Sequence, residues 1–282
     1  MLALADVRLL PIEPGVPAMY QRLASLLLAT LTLSMTARAE PNEPPASADR
    51  KAQARDASID RGFIAAHAET IGKGKWAINS YEILGLGVTY GVTDELAVSL
   101  TTIIPVAGAP FVAALAPKYV LYRADRLLLS ARVLGWWGTS FDDSDGDGHD
   151  DSYAGASGGV LADYYFDEAG RYAVHAGLSA GVTTGLLDTG GADVEGGALV
   201  TLDVGVSLGV TDFMKIIVEG EFYGTTSGND FQVAPVSVVN YGLRFHSKHF
   251  AADVGMVRPF GPAVGKDVWV PGYPFVAFSV RP

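Results

Sequence analysis

The densest group of potential metal ligands in the chain is the acidic run Asp142–Asp151. Three of its carboxylates stand at alternate positions before a glycine, in the order Asp143, Asp145, Asp147 and Gly148. Carboxylates in this spacing can converge on one hard cation, as in the first half of an EF-hand calcium loop. The ninth position of such a loop is Asp151, but the twelfth is Ala154 where a bidentate Glu would stand, which excludes an EF-hand. Two hypotheses remain, a weak Ca²⁺ site on Asp143, Asp145, Asp147 and Asp151 or a solvated acidic surface loop.

A second group of charged residues lies on one face of segments that alternate between apolar and polar residues. Its members are Lys118, Arg132, Asp163, His175, Asp203, Lys215, Glu219, Glu221, Arg244 and Asp253. A ladder of one sign would indicate an ion-selective pore. This set is nearly balanced in sign, which favours ion pairs that brace a filled interior and leaves a narrow passive pore as the alternative.

Catalytic chemistry is expected to be absent. Of the five histidines, only His175 lies in the middle of a predicted strand and faces inward, with Asp163 and Ser157 on the preceding strand. The sequence predicts no G-x-S-x-G nucleophile elbow, which would need a strand-to-helix turn, and contains no H-E-x-x-H motif. A lone inward histidine is more often a hydrogen-bonded interior residue than a catalytic base. A lipid-modifying enzyme based on His175 is the less favoured alternative.

The elements that would position these residues are β-strands. Strict alternation, as in the outward row Tyr172, Val174, Ala176, Leu178, Ala180 and Val182, places apolar and polar side chains on opposite faces. Twelve segments show this pattern: 63–71, 75–90, 95–105, 112–122, 126–138, 153–166, 171–184, 194–210, 213–224, 233–246, 249–258 and 268–281. The segment 63–71 has the weakest pattern. The sequence therefore predicts an all-β fold, a single antiparallel transmembrane up-and-down β-barrel of about 12 strands over residues 61–282.

The predicted connections alternate in length. Tight turns fall near 91–94, 123–125, 167–170, 211–212 and 247–248, and longer Gly/Asp/Pro-rich loops fall at 106–111, 139–152, 185–193, 225–232 and 259–267. Short periplasmic turns and longer external loops are typical of outer-membrane barrels, and an even strand count puts both termini in the periplasm. A soluble periplasmic ligand-binding barrel is the alternative, and it would require the apolar rows to face inward.

The start of the chain reads as an export signal. From Met19, a basic start at Arg22 precedes an apolar run over 23–35 and an A-x-A site ending at Ala39. We therefore expect residues 1–39 to be a signal-peptide region with its true start at Met19 and cleavage after Ala39. Residues 40–60, rich in Ala, Pro and charge, are expected to form a disordered periplasmic linker.

Composition excludes two classes of function. The chain has no Cys, so disulfides and thiol chemistry are absent. Its formal net charge of −11 argues against a nucleic-acid partner, which needs a basic surface. The expected partners are outer-membrane lipid and the outer-membrane assembly machinery, and beyond Ca²⁺ no cofactor is expected.

Five stretches carry a likeness to known sequences: Tyr90-Gly91-Val92-Thr93-Asp94-Glu95-Leu96, Ala116-Pro117-Lys118-Tyr119, Asn240-Tyr241-Gly242-Leu243-Arg244-Phe245, the run 252–259 and the run 274–281. Together they resemble a family of uncharacterised bacterial outer-membrane β-barrel proteins. The resemblance covers about residues 61–282 and implies a barrel in the outer membrane, without implying an activity. The family usually ends on an aromatic residue read by the assembly machinery. Here the last aromatic is Phe278 and the chain ends Val280-Arg281-Pro282.

Overall fold

The computed structural model describes most of the chain beyond residue 55. The described residues are 56–81, 85–103, 111–139, 152–167, 169–184, 197–227, 230–233, 237–261 and 272–282. The predicted signal peptide and most of the predicted linker lie outside them.

The described residues form thirteen β-strands and contain no helix. The strands are β1 Trp76–Tyr81, β2 Gly85–Gly91, β3 Leu96–Ile103, β4 Phe111–Arg123, β5 Leu127–Thr139, β6 Ser152–Tyr165, β7 Tyr172–Thr184, β8 Gly197–Thr211, β9 Met214–Ser227, β10 Asp230–Val233, β11 Ser237–His246, β12 Phe250–Phe260 and β13 Tyr273–Val280.

Twelve of these strands close into a ring. Strands β1 to β9 follow one another around the ring in chain order, each antiparallel to its neighbours. β9 then pairs with β11, and β12 and β13 follow. The ring closes where β13 pairs with β1, for example at Ile78↔Val280. The short strand β10 pairs with the end of β9. The fold prediction of a twelve-stranded antiparallel up-and-down barrel is confirmed.

Two of the predicted strands are wrong, and the errors cancel in the count. The segment 63–71 forms no strand, and in place of one strand over 75–90 the structure has β1 and β2, which pair as a hairpin. The hairpin was missed because its turn keeps the alternation in phase. Outward positions are even-numbered on both sides of it, at Trp76 and Ile78 in β1 and at Leu86, Val88 and Tyr90 in β2.

The connections at one edge of the barrel are short, as the sequence predicts. They join β2 to β3, β4 to β5, β6 to β7, β8 to β9 and β11 to β12. In the first of them Thr93 Oγ1 accepts hydrogen bonds from the backbone N–H groups of Glu95 and Leu96, at 3.1 and 2.9 Å. β1 begins and β13 ends at this same edge, since Trp76 pairs with Tyr90 and Val280 pairs with Phe250.

The outer surface of the barrel is apolar. The bulky residues of the predicted outward rows are exposed, among them Val174, Leu178, Val182, Leu202, Val204, Leu208 and Val210. A contiguous apolar belt of this kind marks a surface that contacts lipid or another protein. The soluble-barrel alternative required these rows to face inward, and the structure contradicts it.

Within the described residues, no helix has the length and apolar character needed to cross a membrane.

Replacing Leu178 by Lys tests the role of the apolar belt. Leu178 is at the middle of β7, pairs with Leu202 and is 53% exposed. If the belt faces lipid, a lysine there would meet hydrocarbon, and Leu178→Lys should then reduce the free energy of unfolding in lipid vesicles by about 2–4 kcal/mol. Phe213→Lys, in the short β8–β9 connection, is the matched control and should cost about 0–1 kcal/mol. Equal losses in urea titrations would contradict a lipid-facing belt.

Candidate functional site

Residues 56–71, named here the inner segment, lie inside the barrel against inward-facing side chains, at the edge with the short connections. The segment contacts that edge at both ends, where Ala57 N donates to Ser247 O at 2.9 Å and Thr70 Oγ1 donates to Asp94 O at 2.6 Å. Gly72 and Gly74 follow with φ of 85° and 70°, a backbone region that glycine adopts readily, and lead the chain into β1. Residues 56–60 belong to the stretch expected to be a disordered linker, but the side chains of Asp56, Ser58 and Asp60 are buried here.

The inner segment is held by an ion-pair cluster on β11 and β12. Arg244 and Asp253 are cross-strand partners, and their side chains pair through two hydrogen bonds of 2.6 and 2.9 Å. The guanidinium of Arg244 also donates to the carbonyls of Ser58, Arg61 and Gly62 at 3.0, 2.9 and 2.6 Å. Arg61 of the segment donates to Asp253 Oδ2 at 2.9 Å. One buried arginine of the wall thus binds three carbonyls of the inner segment.

A carboxylate on β9 binds backbone N–H groups of the inner segment, whereas Arg244 binds its carbonyls. Glu219 accepts hydrogen bonds from the N–H groups of Phe63, Ile64 and Ala65 at 3.0, 3.2 and 3.4 Å. Its side chain passes directly over Gly62, where a Cβ atom would lie 1.2 Å from Glu219 Oε1. Glycine is therefore required at position 62 for this contact.

Four more wall residues hold the rest of the segment. Lys118 donates to the carbonyls of Asp60 and His67 at 3.1 and 2.7 Å, and Asp163 accepts from Ala68 N at 3.0 Å. Ion pairs join Arg123 to Glu69 at 2.6 Å and Lys215 to Asp56 at 2.9 Å.

Burial by itself would raise the pKa of Asp56, but the charges of Lys215, Arg244 and His246 outweigh it and hold that pKa below its usual range.

The charged residues predicted to face inward fall into two groups. Lys118, Asp163, His175, Lys215, Glu219, Arg244 and Asp253 contact the inner segment. Arg132, Asp203 and Glu221 lie elsewhere on the wall. Arg132 is the cross-strand partner of Lys118, and Asp203 is that of Glu221, whose carboxylate accepts from Tyr223 at 2.6 Å.

The residues of the inner segment that make these contacts were not predicted from the sequence. Asp56 falls in the predicted linker, and Arg61, His67 and Glu69 belong to no predicted site. The available signal was composition, because 56–71 mixes five ionisable residues with buried apolar residues such as Phe63 and Ala68, which is unusual in a solvated linker.

A hydrogen-bonded chain of three side chains crosses β6, β7 and β8 beside the segment. Asp163 Oδ1 lies 2.9 Å from His175 Nδ1, and His175 Nε2 lies 3.2 Å from Ser207 Oγ. The ring of His67 stacks on His175 with centroids 3.6 Å apart and planes 8° from parallel. His67, His175 and Ser207 line a cavity of about 20 Å³, which is about the room one water molecule needs.

His67, Asp163 and His175 offer ligand atoms within 4.8 Å of one another, which raises the question of a metal. Imidazole binds a metal along a lone pair that lies in the ring plane, at about 2.0–2.1 Å for zinc. Two nearly parallel rings 3.6 Å apart share no such point, since an ion between them would lie well outside both planes. Both oxygens of Asp163 are also already engaged, with His175 and with Ala68 N. The arrangement does not fit a metal centre.

The residues of the hypothetical calcium site, Asp143, Asp145, Asp147 and Asp151, lie outside the described residues. The calcium site stays a prediction.

Comparison with known proteins adds little to this geometry. No protein-family model matches the chain, and no curated protein matches it. One solved structure that matches is the outer-membrane expressed OmpT of Vibrio cholerae, with a TM-score of 0.34 and 9% sequence identity over 74% of this chain and 95% of that one. A likeness this low carries no inference about function, which must be argued from the chain itself.

The Arg244–Asp253 pair provides a test of how the segment is held. Replacing Asp253 by Asn removes the nearer charge partner of a guanidinium that is 1% exposed and leaves only the longer 3.6 Å pair with Asp56, so we expect Asp253→Asn to cost about 3–5 kcal/mol of unfolding free energy. The matched control is Asp167→Asn, which breaks the exposed Arg171–Asp167 pair and should change little. Urea unfolding in vesicles, followed by tryptophan fluorescence, measures both. A loss for Asp253→Asn no larger than that for Asp167→Asn would contradict this role.

Proposed function

We propose that the protein is an outer-membrane β-barrel that works as a gated passage for small solutes, with the inner segment as its plug. The observation that carries the proposal is the binding of wall charges to the segment's backbone, above all by Arg244 and Glu219. An open porin would leave such charges facing water. In this structure the charges instead bind the backbone of the inner segment.

The outer-membrane location is part of the proposal. It is supported by the apolar exterior of the ring and by the edge of short connections, both of which are typical of outer-membrane barrels. By the same rule we place the short connections, the start of β1 and the end of β13 in the periplasm. The partners of the barrel are then outer-membrane lipid and the assembly machinery.

Gating is favoured over permanent bracing by the polarity of the contact. The apolar side chains that the segment buries are few, namely Ala57, Phe63, Ala68 and Ile71. Apart from the His67–His175 stack and the Arg61–Tyr81 contact, the other contacts described above are ion pairs and hydrogen bonds. Their gain is largely offset by desolvation, and water can replace them when the segment leaves. The docked and released states are therefore expected to differ little in free energy compared with an apolar plug.

Conductance across a planar bilayer tests the plug. Replacing Gly62 by Val would drive a side chain into the Glu219 carboxylate, and we expect Gly62→Val to raise conductance clearly above that of the wild type. A disulfide between Ala57→Cys and Ser247→Cys, which flank a backbone hydrogen bond, should abolish conductance until it is reduced. Since the chain has no Cys of its own, the double variant carries one thiol pair.

The matched control for this experiment is Gly135→Ala, because a Cβ atom at Gly135 meets nothing within 4 Å. It should conduct as the wild type does. The proposal is wrong if Gly62→Val stays silent, or if the oxidised double variant conducts as well as its reduced form.

Hydrolysis is a second candidate function, and one observation favours it, the chain Asp163–His175–Ser207. Its order and distances are those of a serine nucleophile, a base and an orienting carboxylate. Ser207 also stands in the string Gly205-Val206-Ser207-Leu208-Gly209, but the string lies within β8 and not at a strand-to-helix turn. Alternation of small residues on an inward face produces the same string at 155–159 and 177–181.

A fluorophosphonate probe distinguishes the two functions. Ser207 is 5% exposed beside a cavity of about 20 Å³, which has no room for an acyl group, so we expect no labelling of the wild type. Labelling that appears in Gly62→Val and disappears in Gly62→Val with Ser207→Ala would establish hydrolytic chemistry. Absence of labelling in both would leave Asp163, His175 and Ser207 as a structural hydrogen-bond chain.

A further inference from the structure

The contact between the plug and the wall includes a face-to-face pair of histidines. His67 belongs to the inner segment and His175 to β7, and their rings stack at 3.6 Å. Both are largely shielded from water, with side chains 7% and 9% exposed. Two neutral imidazoles stack favourably, but two imidazolium ions at this distance would repel each other with little water to screen them.

The surroundings of the pair contain both signs of charge. The groups that face it or line the adjoining cavity are Lys118 on β4, Asp163 and Tyr165 on β6, Lys215 and Glu219 on β9, Arg244 on β11, and Asp56 on the inner segment. The carboxylates among these groups already accept hydrogen bonds or form ion pairs with other partners. Asp163 binds His175 and Ala68 N, Glu219 binds three backbone N–H groups, and Asp56 binds Lys215.

His67 Nε2 is poorly placed to hold a proton while the segment is docked. It is buried and has no hydrogen-bond partner among the described residues. The closest carboxylate oxygen with which it forms an ion-pair contact is Glu219 Oε1 at 3.8 Å, and that oxygen already accepts from Phe63 N. A proton on His67 would have to be accommodated by breaking the contacts that hold the plug.

We propose that the stacked His67–His175 pair is an acid-sensitive latch, which keeps the inner segment docked at neutral pH and releases it when the medium becomes acidic. This inference rests on the proposed gating function. It adds the regulation of the plug, and the ligand that works the latch is the proton.

The direction of the pH effect follows from proton binding by the two states. Burial lowers the pKa of His67 well below its usual range, and the charges of His175, Arg244 and Lys118 lower it further, against the opposing effect of Asp163. In the released segment His67 is solvated and titrates near the usual imidazole value of about 6.5. The released state therefore binds more protons below that pH. Docking is at full strength above about pH 6.5 and weakens as the pH falls.

A fall from pH 7.5 to pH 5.0 should weaken docking of the inner segment by a defined factor. One group that titrates at about 6.5 when released, and that stays unprotonated while docked, shifts the docking equilibrium by about 30-fold over that interval. In the wild type we expect conductance to rise on acidification. Hydrogen–deuterium exchange of peptides from 56–71, corrected for its intrinsic pH dependence, should accelerate over the same interval.

The test variant is His67→Gln, which keeps a polar side chain of similar length but does not titrate. We expect it to lose the acid response in both measurements. His149→Gln, which changes a histidine of the acidic run between β5 and β6, is the matched control and should respond as the wild type does. An undiminished acid response in His67→Gln overturns the proposal.

The two proposals fail in different ways. If Gly62→Val conducts at pH 7.5 but the wild type changes neither conductance nor exchange at pH 5.0, the latch is wrong and the plug stands. If exchange of 56–71 accelerates in acid, except in His67→Gln, while no variant conducts at any pH, the latch is supported and the gated passage is wrong.

Discussion

The bidentate pair between Arg244 and Asp253 is the interaction on which the interior depends. A guanidinium has five N–H donors, and a carboxylate opposite it on the next strand can take only some of them. Arg244 is 1% exposed, so water cannot take the rest, and the carbonyls of the inner segment do so instead. A buried arginine thus requires acceptors, and the segment is the part of the chain that supplies them.

The same requirement explains why the inner segment is not a strand. A strand needs its carbonyl and N–H groups for a neighbouring strand, but here Arg244 and Lys118 bind the carbonyls while Glu219 and Asp163 bind the N–H groups. Side chains of the wall thus bind backbone groups that a neighbouring strand would bind in a sheet, and other backbone groups bond within the segment, as His67 N does to Asp60 O. The segment is therefore ordered by contacts with charged side chains, and what weakens those charges weakens the order of the segment. This links the electrostatics of the interior to the closure of the barrel.

Much of the ring was predictable because alternation is a strong local signal. Leu178 and Leu202 fall on exposed outward positions, and Lys118, Glu219 and Arg244 fall on buried inward ones. Two elements were not predictable by the same signal. The β1–β2 hairpin keeps its alternation in phase through the turn, and the inner segment has no neighbouring strand to impose alternation. The Asp163–His175 contact joins residues that face each other on neighbouring strands, so it could be predicted from the strand pairing. The stacking of His67 on His175 could not.

The sequence by itself determined which side chains of the strands face outward, where the short connections lie and which charges of the strands face the interior. These features depend on a period of two residues and on local turn chemistry, and both are properties of neighbouring residues. Only the tertiary structure decided what the inward charges bind. Arg244 meets Gly62 across 182 positions of the chain, and Glu219 meets Phe63 across 156. Such contacts arise from closure of the ring around the segment, which brings distant residues into one small, poorly hydrated volume where each charge must find a partner.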